Sequence, residues 1–493
     1  MKLFKNPTIL KILDYYKNLW SLSYVSGVTH WDLETYMPKL GAGARGEALG
    51  RLSVIRQKMF LDREFVNLIH KSESIKSLND QERAVVRILL HDLKFYDKLP
   101  PKFLKEFEIL TNTATVIWRE AKKKSDFKLF QKPLVKIFEM NRQMADYLGY
   151  TNSPYDALLD LFEEGLKVST VESFFKTIKG PLKKLLTKIV KSKKYIKVHR
   201  LEKTKYDTAK MKVLNEKVLN YFWSDMDRFR LDISSHPFTT SFGKDDTRIT
   251  TWYHDTDFSR SLMATIHEFG HALYSLQSSD GLEMTPVAGG SSLVIHESQS
   301  RFWENFIGRS PEFINTFLND FREVVKDPKL TADEVYLYFN KVSPGFFRVE
   351  ADEVTYHFHI MIRYEIEKEI IEGKLKINDI RETWNTKMED YLGIVPKKDS
   401  EGVLQDIHWS GGAVGYFPTY SLGTFLGAQW EDKVNKDLKG GEYEKIKLWL
   451  ERHIHQYGST YTLKDLLKKN KLNYDPMVNL NYLKKKYKNI YEF

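Results

Sequence analysis

Two histidines four residues apart, with a glutamate directly after the first, form the most chemically informative pattern in this 493-residue sequence. These are His267, Glu268 and His271. On an α-helix, positions i and i+4 lie one above the other on the same face. The two imidazoles can therefore offer two nitrogens to one metal ion, while Glu268 reaches a water molecule beside that metal. The pattern predicts a metal site with a general base next to it.

The third ligand must come from another part of the chain, because catalytic zinc usually has three protein ligands and one open position. A third histidine six residues after the second is excluded, since Gln277 occupies that place. Three glutamates remain: Glu283 in the following loop, and Glu297 and Glu304 on the next predicted helix. Glu297 is favoured because it opens that helix after a turn-rich connection, although a glutamate at a helix start also suits the helix dipole.

A site of two histidines and one glutamate around zinc implies a particular reaction. Zinc lowers the pKa of a bound water from ~15.7 toward ~7 and polarises a carbonyl oxygen. Glu268 would accept the proton of the attacking water and pass it to the leaving amine. The expected chemistry is hydrolysis of a peptide or amide bond without a covalent intermediate.

The composition is that of an ordinary globular protein and restricts the metal ligands. Hydrophobic residues make up 42% and charged residues 29% of the sequence, which gives no indication of disorder. Cysteine is absent, so any metal must be held by histidine and carboxylate. The lack of cysteine and the abundance of Lys and Glu are typical of a heat-adapted intracellular protein.

The net charge of +10 does not by itself indicate a nucleic-acid partner. The lysines are scattered, with clusters over 183–197 and 484–488, and no nucleic-acid-binding motif accompanies them. No membrane-spanning stretch and no secretory signal is recognisable. We therefore expect a cytoplasmic protein that binds neither nucleic acid nor membrane.

Hydrophobic spacing of three and four residues predicts helices over most of the chain. One of them, over 171–191, is expected to break at Gly180-Pro181. Residues 246–253 have an alternating pattern with β-branched side chains, which predicts strands just before the motif helix. The motif helix itself is expected over 255–276. The polar connector at 195–209 separates two lobes, 1–195 and 210–493, within one catalytic domain over 1–493.

Several further motifs occur together with the metal-binding pattern, and together they strongly resemble the thermostable Taq-type (M32) family of metallocarboxypeptidases. They are His236-Pro237-Phe238, Asp246-Thr247-Arg248-Ile249-Thr250, His267-Glu268-Phe269-Gly270-His271, His296-Glu297-Ser298-Gln299-Ser300 and Gly402-Val403-Leu404-Gln405-Asp406-Ile407-His408-Trp409. The resemblance extends to Trp31–Pro38 and Arg348–Glu353, so it spans most of the chain.

The resemblance implies a mainly α, neurolysin-like fold with a deep active-site groove and a small β-ribbon beside the metal-binding helix. It implies a homodimer that holds zinc, or sometimes cobalt, and removes single C-terminal residues from peptides with broad specificity, proline being disfavoured. Carried over by motif, the ligands are His267, His271 and Glu297, and the general base is Glu268.

An exopeptidase must also bind the terminal carboxylate of its substrate, and the arginine fork is suited to this because it grips both oxygens. Arg348 is the first candidate and Arg248 the second. His408 and Tyr420 are candidates for contacting the carboxylate or the developing oxyanion, and His236 is a further candidate in the cleft. A structural role is equally compatible with the position of each in the sequence.

Two alternatives to a zinc carboxypeptidase remain. One is a zinc oligopeptidase that cuts internal bonds, since a neurolysin-like groove can serve either mode. The other is a non-catalytic helical scaffold with structural zinc. That alternative is disfavoured, because structural zinc sites normally have four protein ligands and are often rich in cysteine.

Overall fold

The computed structural model describes residues 3–234, 236–438 and 442–493. This part of the chain is mostly helical with one small sheet, which confirms the predicted mainly α fold. None of the described helices combines the length and the apolar character needed to cross a bilayer.

Helices fill the chain before the sheet, and one of them departs from the prediction. Their bounds are α1 (Pro7–Thr35), α2 (Ala42–Phe60), α3 (Arg63–Glu73), α4 (Asp80–Lys98), α5 (Pro101–Lys124), α6 (Phe127–Leu148), α7 (Pro154–Asp160), α8 (Val168–Lys191) and α9 (Thr208–Phe222). Helix α8 continues through Gly180 and Pro181, so the predicted break was wrong. Its apolar face is buried on both sides of the proline, from Val171 to Ile189, and this packing offsets the cost of about 3 kcal/mol for an interior proline.

The sheet has three strands in the order β1-β3-β2: β1 (Phe229–Ile233), β2 (Thr239–Gly243) and β3 (Asp246–Thr251). Strand β3 pairs in parallel with β1 and antiparallel with β2, where Thr239 lies opposite Ile249. Strand structure was predicted at β3, but the parallel partner β1 was not. A strand that joins the sheet from a separate stretch of chain has no local turn pattern that would reveal it.

Helices again make up most of the remaining chain: α10 (Phe258–Leu276), α11 (Leu293–Arg301), α12 (Pro311–Thr316), α13 (Leu318–Val325), α14 (Ala332–Phe339), α15 (Tyr356–Ile371), α16 (Ile380–Leu392), α17 (Pro418–Leu438), α18 (Tyr443–His453), α19 (Leu463–Lys469) and α20 (Pro476–Tyr491). Helix α11 continues directly into a π-helix, Phe302–Gly308. Short 3-10 turns lie at Lys39–Gly41, Arg200–Lys203, Asp280–Leu282, Arg348–Glu350, Ile377–Asp379, Asp399–Glu401 and His455–Tyr457.

The chain forms two compact units, each built from three stretches. The first comprises Met1–Lys94, Val198–Phe339 and Trp430–Tyr474, and the second comprises Phe95–Lys197, Asn340–Gln429 and Asp475–Phe493. The division of one catalytic domain, 1–493, into lobes at 1–195 and 210–493 stays a prediction.

Helix α10 is the central helix of the first unit and packs against α9, α11, β2 and β3. Phe269 lies on the face opposite the two motif histidines, at a rotation of roughly 160–200° from each. Its ring contacts Phe222 and Trp303, with ring centroids 5.5 and 5.0 Å away. This aromatic packing fixes the rotation of α10, and with it the direction in which the histidines point.

Candidate metal centre

A close crossing of α10 and α11 brings the candidate ligands together. Gly270 lies against the backbone of α11, where an added Cβ would come within 2.6 Å of the carbonyl oxygen of Gln299 and of the Cα of Ser300. Only glycine permits this approach, because the atoms it meets are backbone and cannot move aside. The crossing places Glu297 of α11 over the two motif histidines.

The side chains of His267, His271 and Glu297 form one cluster. Oε2 of Glu297 lies 3.5 Å from Nε2 of His267 and 3.5 Å from Nε2 of His271, and the ligand atoms of all three lie within 4.8 Å of one another. Atoms bound about 2.0–2.2 Å from a tetrahedral zinc ion lie roughly 3.4 Å apart. The spacing and the donor set, two imidazole nitrogens and one carboxylate, fit a divalent metal such as zinc.

Glu297 carries its negative charge although it is only 5% exposed. Burial favours the neutral acid, but Arg301 and the two histidines outweigh burial and hold the pKa of Glu297 well below its usual range. Nε of Arg301 lies 2.7 Å from Oε1, which leaves Oε2 directed at the histidines. The carboxylate is therefore ready to bind a cation without first losing a proton.

Glu304, the alternative third ligand, occupies a different place. Its Oε2 lies 2.9 Å from Nδ1 of His267, and Arg301 and Arg309 also donate to its carboxylate. Against the effect of burial, Arg301 and His267 hold the pKa of Glu304 well below its usual range. A carboxylate on Nδ1 fixes the tautomer that leaves the Nε2 lone pair free for a metal.

His271 has a histidine as the partner of its own Nδ1. Nδ1 of His296 lies 3.3 Å away. Burial, and then the neighbouring His271, lower the pKa of His296 to about 3, so His296 is neutral and can accept the Nδ1 proton of His271. Gly290 makes room for this ring, because a Cβ there would lie 2.1 Å from Nε2 of His296. This contact was not predicted from the sequence, although His296 stands directly before Glu297.

The two remaining glutamates near the motif have partners outside the cluster. Glu268 is 7% exposed, and its Oε2 accepts a hydrogen bond of 2.6 Å from the hydroxyl of Thr239, a residue that the sequence analysis did not single out. Oε1 of Glu283 accepts from the backbone N–H of Lys244 at 3.0 Å. Glu283 therefore hydrogen-bonds to the loop after β2 and is not part of the ligand cluster.

Two of the candidate substrate-binding residues belong to the first unit. Arg248, on β3, has its Nε and Nη2 bonded to Asp246 at 2.7 and 2.8 Å, and its guanidinium lies 4.4 Å from the ring centroid of Trp31. His236 is exposed, and its carbonyl accepts a hydrogen bond of 2.6 Å from Ser234. Both remain candidates.

The other three, which lie together, belong to the second unit. Nε of Arg348 donates to Asp406 at 2.8 Å, and its guanidinium stands 5.0 Å from the ring centroid of Tyr420. The hydroxyl of Tyr420 lies 3.1 Å from Nε2 of His408. Arg348 is buried, which disfavours its charge, but Asp406 and neighbouring tyrosines raise its pKa overall. The structure thus groups a charged arginine, a phenol and an imidazole, a combination suited to holding a carboxylate.

The known proteins that this chain resembles are carboxypeptidases of one family. Residues 11–487 match the family described as Carboxypeptidase Taq (M32) metallopeptidase. Thermostable carboxypeptidase 1 of Pyrococcus furiosus is 46% identical over 477 residues, 95% of this chain and 96% of that protein. Carboxypeptidase 1 of Bacillus subtilis is 37% identical over 496 residues, 98% of each. The solved apo-Mg structure of Pyrococcus furiosus carboxypeptidase superposes with a TM-score of 0.95 at 45% identity, covering 98% of this chain and 100% of that one.

Proposed function

Because the chain belongs to the Carboxypeptidase Taq (M32) metallopeptidase family, it is a metallocarboxypeptidase, and we propose that it is zinc-dependent with His267, His271 and Glu297 as its metal ligands. One observation carries the proposal. The Oε2 atom of Glu297 lies at the same 3.5 Å from Nε2 of both histidines, as two edges of a coordination tetrahedron require. Cobalt, with a similar preference for nitrogen and oxygen ligands, is a second metal that fits this donor set.

A zinc ion held at these ligands supplies Lewis acidity, which makes a bound water easier to deprotonate and polarises the carbonyl of the scissile bond. The charges around the site support this role for the three residues. Glu297 is already ionised, and the Nδ1 atoms of His267 and His271 face Glu304 and His296, which directs both Nε2 atoms to the cluster.

We assign the proton transfers to Glu268. Its carboxylate accepts the proton of the attacking water and then donates that proton to the nitrogen of the leaving amino acid. The position of Glu268, directly after His267 on the buried helix α10, supports this role. The reaction proceeds without a covalent intermediate.

Recognition of a free C-terminus is assigned to arginine. Arg348 is the first choice, because its charge is maintained by Asp406 and it stands beside Tyr420, whose hydroxyl lies 3.1 Å from His408. Arg248 is the second choice, and His236 is retained as a further contact. We further propose broad specificity with proline disfavoured, a cytoplasmic homodimer, and stability at high temperature, without nucleic-acid or membrane partners.

The test is hydrolysis of an N-blocked dipeptide with a free C-terminus, followed by release of the C-terminal amino acid. Activity should disappear on complete metal removal and return when zinc is added. The same dipeptide with a C-terminal amide should be a poor substrate, since it has no carboxylate for the arginine. Hydrolysis that survives metal removal contradicts the metal assignment, and efficient cleavage inside amidated peptides indicates an oligopeptidase instead.

A further inference from the structure

A short hydrogen bond joins the edge strand of the sheet to the helix that carries the candidate general base. Oγ1 of Thr239, the first residue of β2, lies 2.6 Å from Oε2 of Glu268 and 3.0 Å from the Glu268 carbonyl oxygen. The hydroxyl has one proton, and a carboxylate oxygen is a stronger acceptor for it than a backbone carbonyl oxygen. Within the described part of the chain, no other side chain hydrogen-bonds to the Glu268 carboxylate.

Thr239 is itself held firmly, because the residue before it is tied to β3. The backbone N–H of Phe238 donates to Oγ1 of Thr250 at 3.0 Å, and the N–H of Thr250 donates to the carbonyl of Phe238 at 2.9 Å. Thr250 is fully buried. In the antiparallel register, Thr239 then faces Ile249 of β3. A chain of contacts therefore runs from the centre of the sheet to one oxygen of Glu268.

From this geometry we propose that Thr239 is the positioning residue for Glu268, a proposal that rests on the general-base role given above. The hydrogen bond uses one lone pair of Oε2 and leaves both lone pairs of Oε1 available to accept the proton of water. It also restricts the last torsion of the glutamate, which is otherwise broad. Proton transfer depends on geometry within hydrogen-bond reach, so an unrestrained carboxylate is a slower base.

The segment 236–239 then has a role that differs from the one expected of His236. His236 is exposed, whereas the hydroxyl of Thr239, three residues later, reaches the carboxylate of Glu268. The motifs 236–238 and 246–250 then act together, because Thr250 anchors the backbone that presents Thr239.

The experiment compares Thr239→Val with Thr239→Ser in the full-length, zinc-loaded enzyme. Valine keeps the shape and removes the hydroxyl, so kcat should fall roughly 10–100-fold while KM changes little. Serine keeps the hydroxyl and should restore most of kcat. Zinc affinity, measured by competition with a chelator, should be unchanged in both variants. Thr316→Val, at an exposed position on α12, is the matched control and should behave as wild type.

Each other outcome overturns the positioning role. Wild-type kcat in Thr239→Val does so directly, and a serine variant as slow as the valine variant shows that the hydroxyl is not what matters. If Thr239→Val does not fold, Thr239→Ala gives the same comparison, and rescue by serine is still required. Failure of the proposed function is recognised separately. Full turnover by Glu268→Gln would show that Glu268 is not the general base, and the positioning role of Thr239 would then fall with it, whatever the Thr239 variants do.

Discussion

Oε2 of Glu304 lies 2.9 Å from Nδ1 of His267, on the ring edge away from the nitrogen that faces Glu297. Arg301 links the two carboxylates, since its Nε is 2.7 Å from Glu297 and its Nη1 is 2.9 Å from Glu304. The guanidinium of Arg301 therefore holds both Glu297, the candidate metal ligand, and Glu304, the partner of His267. The orientation of His267 depends on Glu304 as much as on its own helix.

Replacing Glu304 with glutamine should weaken metal binding without abolishing it. The amide loses the charge that attracts Nδ1–H of His267, and partners of this kind typically contribute 10–100-fold to metal affinity. Zinc affinity measured by chelator competition gives the comparison. Glu312→Gln, at an exposed position in the first turn of α12, is the control and should bind zinc as wild type does. An unchanged affinity in Glu304→Gln would show that His267 is oriented by its helix alone.

Replacing Glu297 with glutamine should cost more metal affinity than the Glu304 change. It removes a charged ligand and leaves Arg301 with less compensation beside the site. The two variants are compared in the same chelator competition. If Glu297→Gln binds zinc as well as or better than Glu304→Gln, the third ligand has been assigned to the wrong glutamate.

Replacing Glu268 with glutamine should separate metal binding from catalysis. Glutamine cannot accept the proton of water, so kcat should fall by roughly 10²–10⁴-fold. The metal content of the purified protein should stay at the wild-type level, because Glu268 is not among the clustered ligand atoms. Metal analysis and turnover of an N-blocked dipeptide are measured on the same preparation.

Replacing Gly270 with alanine should destabilise the protein and disturb the metal centre. The new methyl group would meet the Gln299 carbonyl at 2.6 Å, and overpacking of this kind costs roughly 1–3 kcal/mol. Gly46, on the exposed face of α2, has no atom within 4 Å of an added Cβ. Gly46→Ala should therefore stabilise by roughly 0.5–1 kcal/mol. Thermal unfolding of both variants tests the crossing, and equal melting temperatures would contradict it.

Glu367 of the second unit should make stability depend on pH. Its buried carboxylate accepts hydrogen bonds from Tyr155, Trp409 and Gly415 at 2.5, 2.6 and 2.9 Å. Burial outweighs these bonds and raises the pKa of Glu367 from 4.5 to about 7. The folded protein then holds this proton more tightly than the unfolded chain does. Its stabilising contribution is complete below about pH 4.5 and is lost as pH rises through 7, a change on the order of 3 kcal/mol.

Glu367→Gln isolates that contribution, because glutamine does not titrate. The unfolding free energy of the wild type minus that of the variant should be smaller at pH 8 than at pH 5, because only the wild type loses stability as the pH rises. The same difference at both pH values would show that Glu367 has an ordinary pKa in the folded protein.

Much of the candidate site follows from local spacing. The four-residue interval between His267 and His271 places both imidazoles on one helix face in any α-helix, because each turn contains about 3.6 residues. The absence of cysteine restricted the remaining ligand to a histidine or a carboxylate. The mainly α fold follows from the same hydrophobic periodicity, and it was confirmed by the described helices.

What local spacing could not decide is how separate segments meet. Nothing near Glu304 in the sequence indicates that it bonds the back of His267, and nothing near Thr239 indicates a contact with Glu268, 29 residues later. Pro181 was expected to break α8, yet the helix continues because its buried face packs on both sides. Periodicity describes one segment at a time. The partners of a side chain, and whether packing outweighs a local preference, depend on elements that only folding brings together.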